Sequence, residues 1–345
     1  MTDVAIVGAS GYGGGELIRW LFRHPSVRVT SLLSETYAGK PLAAEFPSMR
    51  GASELHFASD YDVSAATRCD VVFFAGESGF AMCKAQPILN AGCKVIDLSA
   101  DFRFRNAADY EAWYGTPHTN KSLSSAAIYG IRELHAKEMA GARLVGNPGC
   151  YATAAVLALA PLVKSKLIDL KSIIIDGKSG VSGAGRSKAD LNYRFSEANE
   201  SVSAYKVGGT HRHTGEIEQE LSLLCGQPVT VSFTPHLVPM TRGILASCYA
   251  SLTESSQFSL EQLYRDFYAN APFVAIVSEP PATKHTLGSN MAHIHVSVDR
   301  RTNRVSVFTA IDNLGKGMAG QAIQNMNLML GLDEKTGLEV LPLWP

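Results

Sequence analysis

The chain has 345 residues, of which 46% are hydrophobic, and a formal net charge of −1 at pH 7. This length allows two packed domains, and the near-neutral charge argues against a nucleic-acid groove or a basic membrane-surface patch. No apolar run approaches the roughly 18 residues that a transmembrane helix needs. The 6 cysteines are scattered without a CxxC pair, as is typical of reduced thiols in a cytosolic enzyme. The chain enters a strand pattern directly after Met1, without a basic leader, so we expect a cytoplasmic protein.

The first segment predicts a strand, a glycine turn and a helix, in that order. Residues 4–7 form an apolar run typical of a central parallel strand, 8–15 are rich in glycine, and 16–22 carry apolar residues at helical spacing. Such a turn lets a backbone approach a pyrophosphate, which the helix N-terminus then binds. The spacing is GxxGxxG and not GxGxxG, so a plain glycine-rich turn is the alternative.

A second strand is predicted at 27–33, and buried strands follow at 70–74 and 94–98. An acidic residue after the second strand binds the ribose 2′-OH of NAD, whereas polar or basic residues bind the 2′-phosphate of NADP. Glu35 favours NAD, while its neighbours could hydrogen-bond a phosphate, so the cofactor preference stays open at this point. The candidate cofactor residues are Gly8, Ser10, Gly11, Tyr12, Gly13, Gly14, Ser34, Glu35 and Thr36.

The segment 144–161 contains the strongest candidate for a nucleophile. A short strand and an Asn-Pro-Gly turn lead to Cys150, which begins an Ala/Leu-rich helix that we expect to end at Pro161. A thiol in the first turn of a helix lies at the positive end of the helix dipole, which favours the thiolate. The N–H groups at the same helix end can stabilise an oxyanion. A buried cysteine that serves as a small apolar residue is the alternative.

Two later segments carry charged or titratable groups next to glycine. A glycine-rich stretch at 177–186 follows a strand and presents Lys178 and Arg186, which predicts an anion-binding loop or a flexible connector. His211 and His213 precede a helix for which Thr214 is a plausible N-cap. A histidine with a pKa near neutral can take the proton from a thiol and return it. An HxH pair can also be half of a metal site, but supporting ligands are missing from the pattern, and we predict no metal.

Near the C-terminus, 293–298 and 304–310 alternate and predict an antiparallel hairpin with His293 and His295 on one face. Asn313 follows, before a last helix at 318–330. It is a candidate for binding the nicotinamide carboxamide, or it caps the turn. The hairpin predicts an exposed sheet that a symmetric partner can cover.

Taken together, these motifs resemble the N-acetyl-γ-glutamyl-phosphate reductase family, of the aspartate-semialdehyde-dehydrogenase-like group, over essentially the whole length. The segments that carry the resemblance are 8–15, 99–103, 146–153, 211–216 and 310–317. Gly215 stands where the family usually has proline, which loosens the helix start. The resemblance implies an α/β fold: a Rossmann-type NADP-binding domain (1–149 and 312–345) and an α+β catalytic and dimerisation domain (150–311) with a mixed or antiparallel sheet.

The resemblance also implies NADPH-dependent reduction of N-acetyl-glutamyl 5-phosphate to the semialdehyde in arginine biosynthesis, through a thioester on Cys150. His211 is then the first candidate for the base, His213 the second, and Glu216 orients the base. Candidates for binding the phosphate and carboxylate of the substrate are Arg103, Lys178, Arg186 and Arg242. For Arg103, a solvated loop is the alternative.

A sister family acts on the longer aminoadipyl phosphate, carried on an acidic protein, in lysine biosynthesis, and this reading stays open. A different aldehyde dehydrogenase on the same scaffold and a nucleotide-binding sensor with Cys150 as a redox switch also stay open. We expect a small-molecule substrate, no nucleic acid, no membrane, and a homodimer or homotetramer.

Overall fold

The computed structural model describes residues 1–59, 63–187, 190–253 and 259–344. Its strands are β1 Thr2–Val7, β2 Val27–Leu33, β3 Phe57–Ala58, β4 Val71–Phe74, β5 Lys94–Asp97, β6 Ile128–Tyr129, β7 Leu144–Gly146, β8 Ile174–Ser179, β9 Ser203–Ala204, β10 Ser232–Leu237, β11 Ile244–Ser251, β12 Val274–Ile276, β13 Ala292–Asp299 and β14 Arg304–Ile311. Its α-helices are α1 Tyr12–Leu21, α2 Leu42–Glu45, α3 Ala81–Asn90, α4 Ala107–Tyr114, α5 Lys121–Ala126, α6 Arg132–Met139, α7 Cys150–Lys164, α8 Phe195–Ala198, α9 His213–Cys225, α10 Leu260–Phe267 and α11 Gly320–Met329.

The chain forms two compact units. The first comprises Met1–Pro148, Gly185–Ser187 and Met318–Glu339, and the second comprises Gly149–Ala184, Lys188–Gly317 and Val340–Pro345. The domain limits expected from the sequence stay a prediction. They differ from the compact units mainly at 312–317 and 340–345, which belong to the second unit.

The first unit contains a parallel sheet in the order β3-β2-β1-β4-β5-β7-β6. β4 is buried along its whole length, as expected for a strand covered on both faces. The strand order reverses between β1 and β4, and in such folds the ligand crevice lies at the carboxyl ends of these strands. α1 begins at Tyr12, four residues earlier than the apolar spacing predicted, because the glycines themselves form its first turn.

The second unit contains a mixed sheet in the order β12-β13-β14-β11-β8-β10-β9. β10 runs parallel to β8 and β12 parallel to β13, while the other pairs are antiparallel. The hairpin predicted from the alternating segments is confirmed as β13 and β14, paired from Ala292–Ile311 to Asp299–Arg304. The α/β fold class is confirmed, and α7 packs on one face of this second sheet against β11 and β14.

The prediction that the Cys150 helix ends at Pro161 is wrong, because α7 continues to Lys164. A proline inside a helix removes the N–H that would bond to the carbonyl four residues earlier, here that of Leu157. The Tyr268 hydroxyl donates to this carbonyl at 2.6 Å, and Tyr264 donates to the next carbonyl, that of Ala158, at 2.5 Å. Side chains that follow far along the sequence therefore satisfy the backbone that proline leaves unpaired.

Within the described ranges, no helix is long and apolar enough to cross a membrane.

Candidate functional site

The candidate nucleophile begins a helix in the second unit. Cys150 is the first residue of α7, and its predecessor Gly149 takes the N-cap position with an extended backbone. The thiol is half-buried. A Cβ atom on Gly317 would lie 2.9 Å from the Cys150 Cβ, so only glycine allows the 315–319 turn to pack this closely against the nucleophile.

A carboxylate from another helix binds the start of α7. The backbone N–H of Gly149 donates to the Glu216 Oε2 atom at 2.9 Å, and Glu216 is fully buried. Because α9 packs against α7, this hydrogen bond fixes the histidine-bearing helix start relative to the residue before the thiol. The structure thus brings Glu216 to the residue that precedes Cys150, 67 positions earlier in the sequence.

The two candidate bases differ in their surroundings. α9 begins at His213 with Arg212 as its N-cap residue, so the expectation that Thr214 caps the helix is wrong. The His213 Nε2 atom lies 3.9 Å from Glu216 Oε1. A Cβ on Gly149 would lie 2.4 Å from the same nitrogen, so the tip of the His213 ring lies against the residue that precedes Cys150.

His211 lies deeper and is held as a neutral ring. Its pKa is lowered to about 2, chiefly by burial and in smaller part by the neighbouring His213 and Lys206. The backbone N–H of His213 donates to the His211 Nδ1 atom at 3.1 Å, which leaves the proton of the neutral ring on Nε2. His211 is therefore suited to donating a hydrogen bond and poorly suited to accepting a proton.

The glycine turn of the first unit has the features that a dinucleotide requires. Gly8 has a φ of +76°, and a Cβ there would lie 2.6 Å from the backbone nitrogen of Gly76. The N-cap residue Gly11 has no side chain to cap the first turn of α1, so this turn can bind an anion through its N–H groups. A Cβ on Gly14 would lie 2.5 Å from the Ala9 carbonyl oxygen, so glycine is needed for the close packing of helix and turn.

Polar residues from two segments meet beside this turn. The hydroxyls of Ser10 and Ser34 lie 2.7 Å apart, although 24 positions separate them. The Glu35 carboxylate accepts a hydrogen bond from the Ser59 hydroxyl at 2.5 Å, and Thr36 is exposed. The residues present fit a dinucleotide, and the serine pair offers hydroxyl donors for a phosphate, which favours NADP.

Two of the predicted substrate-binding cations lie elsewhere than expected. Lys178 belongs to β8 and not to a loop. A Cβ on its neighbour Gly177 would lie 2.6 Å from the Tyr151 ring of α7, so strand alternation directs Lys178 to the opposite face, where it pairs with Asp176 at 2.9 Å. Its predicted role in substrate binding therefore has no support from this position.

Arg186 lies in the first unit, beside the glycine turn. It forms an ion pair with the buried Glu45 carboxylate, and its Nη1 atom lies 3.3 Å from the Ser10 carbonyl oxygen. Lys178, in a strand, and Arg186, in the first unit, do not share one loop, and that Arg186 binds substrate stays a prediction. These contacts place the Arg186 guanidinium against the glycine turn.

The other predicted ligands bind protein groups. Arg103 is buried and donates to the carbonyl oxygens of Asn147 at 2.8 Å and Leu98 at 2.9 Å. Arg242 pairs with the fully buried Asp312, with its Nη2 atom at 2.9 Å. That these two arginines bind substrate stays a prediction.

Asn313 uses both ends of its amide inside the second unit. Its oxygen accepts from the backbone N–H of Gly243 at 2.7 Å, and its nitrogen donates to the Ser182 hydroxyl at 2.9 Å. These contacts match a role in holding a turn. The contact of Asn313 with a nicotinamide stays a prediction.

The sequence analysis missed two aromatic residues beside the candidate bases. The rings of Tyr151 and Tyr205 face His211 at centroid distances of 5.6 and 5.7 Å. Tyr151 directly follows the nucleophile, but no local pattern indicates that its ring faces histidines 60 positions later.

In the part of the chain that the structure describes, no three His, Cys, Asp or Glu side chains converge in a way that could hold a metal ion.

Comparison with known families identifies both units. Residues 3–142 match the family described as semialdehyde dehydrogenase, NAD binding domain. Residues 150–313 match the semialdehyde dehydrogenase, dimerisation domain. Solved structures share the fold: aspartate semialdehyde dehydrogenase II from Vibrio cholerae, complexed with ASA, has a TM-score of 0.74 at 17% identity and covers 96% of this chain and 98% of its own. Aspartate semialdehyde dehydrogenase with NADP from Candida albicans has a TM-score of 0.68 at 13% identity, with 96% and 99% coverage.

Relatives with much higher identity carry a different name. The N-acetyl-gamma-glutamyl-phosphate reductase of Citrifermentans bemidjiense is 51% identical and aligns over 100% of both chains. The enzyme of the same name from Symbiobacterium thermophilum is 52% identical over 97% of both chains. This chain matches these relatives throughout, and its cysteine at a helix start lies beside a carboxylate and two histidines. It therefore belongs to the N-acetyl-gamma-glutamyl-phosphate reductase family.

Proposed function

We propose that this protein catalyses the NADPH-dependent reduction of N-acetyl-glutamyl 5-phosphate to N-acetylglutamate 5-semialdehyde, with release of phosphate, in arginine biosynthesis. The observation that carries this proposal is the hydrogen bond from Gly149 to Glu216, which joins the nucleophile helix to the histidine helix. The full-length relatives support the glutamyl substrate, since those compared bear the N-acetyl-gamma-glutamyl name. They do not favour the aminoadipyl substrate or its carrier protein.

Cys150 is the nucleophile in this proposal. Its thiolate attacks the acyl carbon of the acyl phosphate, the carbon–oxygen bond to phosphate breaks, and a thioester forms. N–H groups in the first turn of α7 stabilise the tetrahedral oxyanion, because they point along the helix axis at the atom that develops charge. After hydride addition, the second tetrahedral intermediate collapses, and the aldehyde leaves as the thiolate reforms.

His213 is the better supported of the two candidate bases. Its ring lies against Gly149 and near the Glu216 carboxylate, which favours the protonated imidazole that deprotonation of the thiol produces. His211, with its pKa lowered to about 2, remains neutral and donates from Nε2. The order of preference inferred from the sequence, His211 before His213, is therefore reversed in this proposal.

NADPH supplies the hydride when bound. The residues that we assign to it are the glycine turn at 8–14, with Ser10 and Tyr12, and the polar group formed by Ser34, Glu35 and Thr36. The first turn of α1 would hold the pyrophosphate, and the paired hydroxyls of Ser10 and Ser34 would hold the 2′-phosphate.

We also propose a cytoplasmic homodimer or homotetramer that associates through the second sheet. The face of this sheet opposite α7 carries half-buried aromatic rings, including Phe308, which lies 6.3 Å from Tyr249 and 6.4 Å from His295. The match of residues 150–313 to a dimerisation domain supports association through the second unit. Light scattering coupled to gel filtration tests it, and a monomer at micromolar concentration would contradict it.

The function is tested in the reverse direction, by phosphate-dependent reduction of NADP with N-acetylglutamate semialdehyde. The aminoadipate homologue serves as the competing substrate, and Cys150→Ala is measured beside the wild type. Turnover of the glutamate compound alone, lost in Cys150→Ala, supports the proposal. A preference for the longer homologue would move the protein to lysine biosynthesis, and activity that survives without Cys150 would exclude the thioester.

A further inference from the structure

The aromatic ring directly after the nucleophile packs against both candidate bases. Tyr151 is 3% exposed, and its ring lies edge-on to His211 with the centroids 5.6 Å apart and an angle of 86°. It faces His213 at 6.2 Å and 65°. The two imidazoles lie 4.7 Å apart at 76°, so the three rings form one edge-to-face cluster.

The protein backbone makes room for this ring. A Cβ on Gly177 of β8 would lie 2.6 Å from Tyr151 Cε1 and 2.8 Å from Cδ1. On another side, the Phe233 ring lies 5.3 Å from Tyr151. The hydroxyl donates to the backbone carbonyl of His236 at 3.0 Å. Tyr151 is thus fixed by the sheet at its far end and presents its ring to the histidines.

Proton transfer does not explain the position of Tyr151. Burial raises its pKa far above the usual range for tyrosine, so the hydroxyl stays protonated at any pH at which the protein works. The hydroxyl proton is also engaged with the sheet carbonyl and not with either histidine. Orientation of the imidazoles is the function that remains consistent with these contacts.

We propose that Tyr151 is a positioning residue for thioester formation, which fixes the rings of His211 and His213 beside the helix start that carries Cys150. This inference rests on the proposed function. Tyr151 and Cys150 share the first turn of α7, so one rigid element sets both the nucleophile and the ring that orients the bases. Without the ring, His211 keeps Tyr205 and Phe233 as neighbours, but both imidazoles lose the ring that the nucleophile helix carries. The proton acceptor then spends less time in reach of the thiol.

The test compares Tyr151→Leu, which removes the ring, with Tyr151→Phe, which retains it. Gly177→Ala displaces the ring without changing Tyr151. Tyr264→Phe is the matched control, since it removes another hydroxyl that donates to a backbone carbonyl in the same unit. Each variant is assayed for kcat and KM and for the pH dependence of Cys150 alkylation by iodoacetamide in the substrate-free protein. Thermal unfolding is followed as well.

We expect Tyr151→Leu to lower kcat about 10²-fold, a typical loss for misplaced acid–base groups, with KM within about threefold. Alkylation at pH 7 should slow by about tenfold and its midpoint should move to higher pH. Tyr151→Phe and Tyr264→Phe should stay within about threefold of wild type, and Gly177→Ala should follow Tyr151→Leu.

If the wild type is active and Tyr151→Leu keeps its kcat and its alkylation profile, this inference is overturned while the proposed function stands. If Tyr151→Leu does not fold, an unchanged kcat and alkylation profile in Gly177→Ala would overturn this inference. A wild type without phosphate-dependent turnover would overturn the proposed function and this inference with it.

Discussion

The backbone N–H of Gly149 donates to the buried carboxylate of Glu216 at 2.9 Å. Through this one hydrogen bond, the residue before the nucleophile is joined to the first turn of the helix that begins at His213. The carboxylate therefore has two functions: it satisfies an N–H at the start of α7, and its other oxygen lies 3.9 Å from His213 Nε2.

Replacing Glu216 should separate these two functions. Glu216→Gln keeps an oxygen for the Gly149 N–H but removes the charge beside His213, so we expect kcat to fall about 10- to 100-fold with little change in thermal stability. Glu216→Ala leaves a buried N–H unpaired and should cost a further 1–3 kcal/mol or so of unfolding free energy. Steady-state kinetics and urea unfolding measure both.

The control is Glu218→Gln on the same helix. Glu218 also accepts a backbone hydrogen bond, from Val231 at 3.0 Å, but belongs to no candidate site. Wild-type kcat in Glu216→Gln, or an equal loss in Glu218→Gln, would contradict the role of the charge.

The two histidines should give different pH profiles. Because the pKa of His211 is lowered to about 2, its ring gains no proton above about pH 4, and it contributes no acid limb there. We expect the acid limb of kcat/KM to persist in His211→Asn and to disappear in His213→Asn. Profiles measured from pH 5 to 9 decide this, and loss of the limb in His211→Asn alone would restore His211 as the base.

A buried carboxyl in the first unit should make stability depend on pH. Burial, with a smaller contribution from the neighbouring Asp101, raises the pKa of Asp97 from 3.8 to about 7. Between these values the folded protein binds more protons than the unfolded chain, so the contribution of Asp97 to stability is full below about pH 4 and is lost as the pH rises to 7.

Asp97→Asn should remove the pH-dependent contribution of Asp97 to stability. We expect the urea midpoint of the variant to increase relative to that of the wild type as the pH rises from 4.5 to 7.5. A difference that is constant over this range would show that Asp97 titrates alike in both states. Comparison of the two proteins at each pH cancels the other titrating groups.

A new charge at Ser34 should change cofactor preference. Ser34→Asp places a carboxylate where the paired hydroxyls of Ser10 and Ser34 are assigned to the 2′-phosphate. We expect the Kd for NADPH to rise about tenfold or more through like-charge repulsion, while the Kd for NADH stays equal or falls. Fluorescence titration with both nucleotides measures this, and an equal loss for both would indicate a general disruption of the turn.

Much of the fold and of the candidate site could be predicted because the sequence patterns that indicate them are local. A buried strand followed by clustered glycines predicts a dinucleotide turn, and the hairpin β13–β14 follows from strict alternation. The cysteine after Asn-Pro-Gly indicates a helix start for the same reason. The end of that helix was predicted wrongly, because two tyrosine hydroxyls more than 100 positions away satisfy the carbonyls near Pro161.

Local patterns were enough to predict the candidate nucleophile, the glycine turn and two histidines at a helix start, since each depends on neighbours within one turn or strand. Contacts formed on folding establish which histidine lies against Gly149, which face of the sheet carries Lys178, and that Arg186 contacts the glycine turn. These outcomes depend on burial and on contacts between residues far apart in the chain. Such contacts set the pKa of His211 and the position of Tyr151, and no local pattern encodes them.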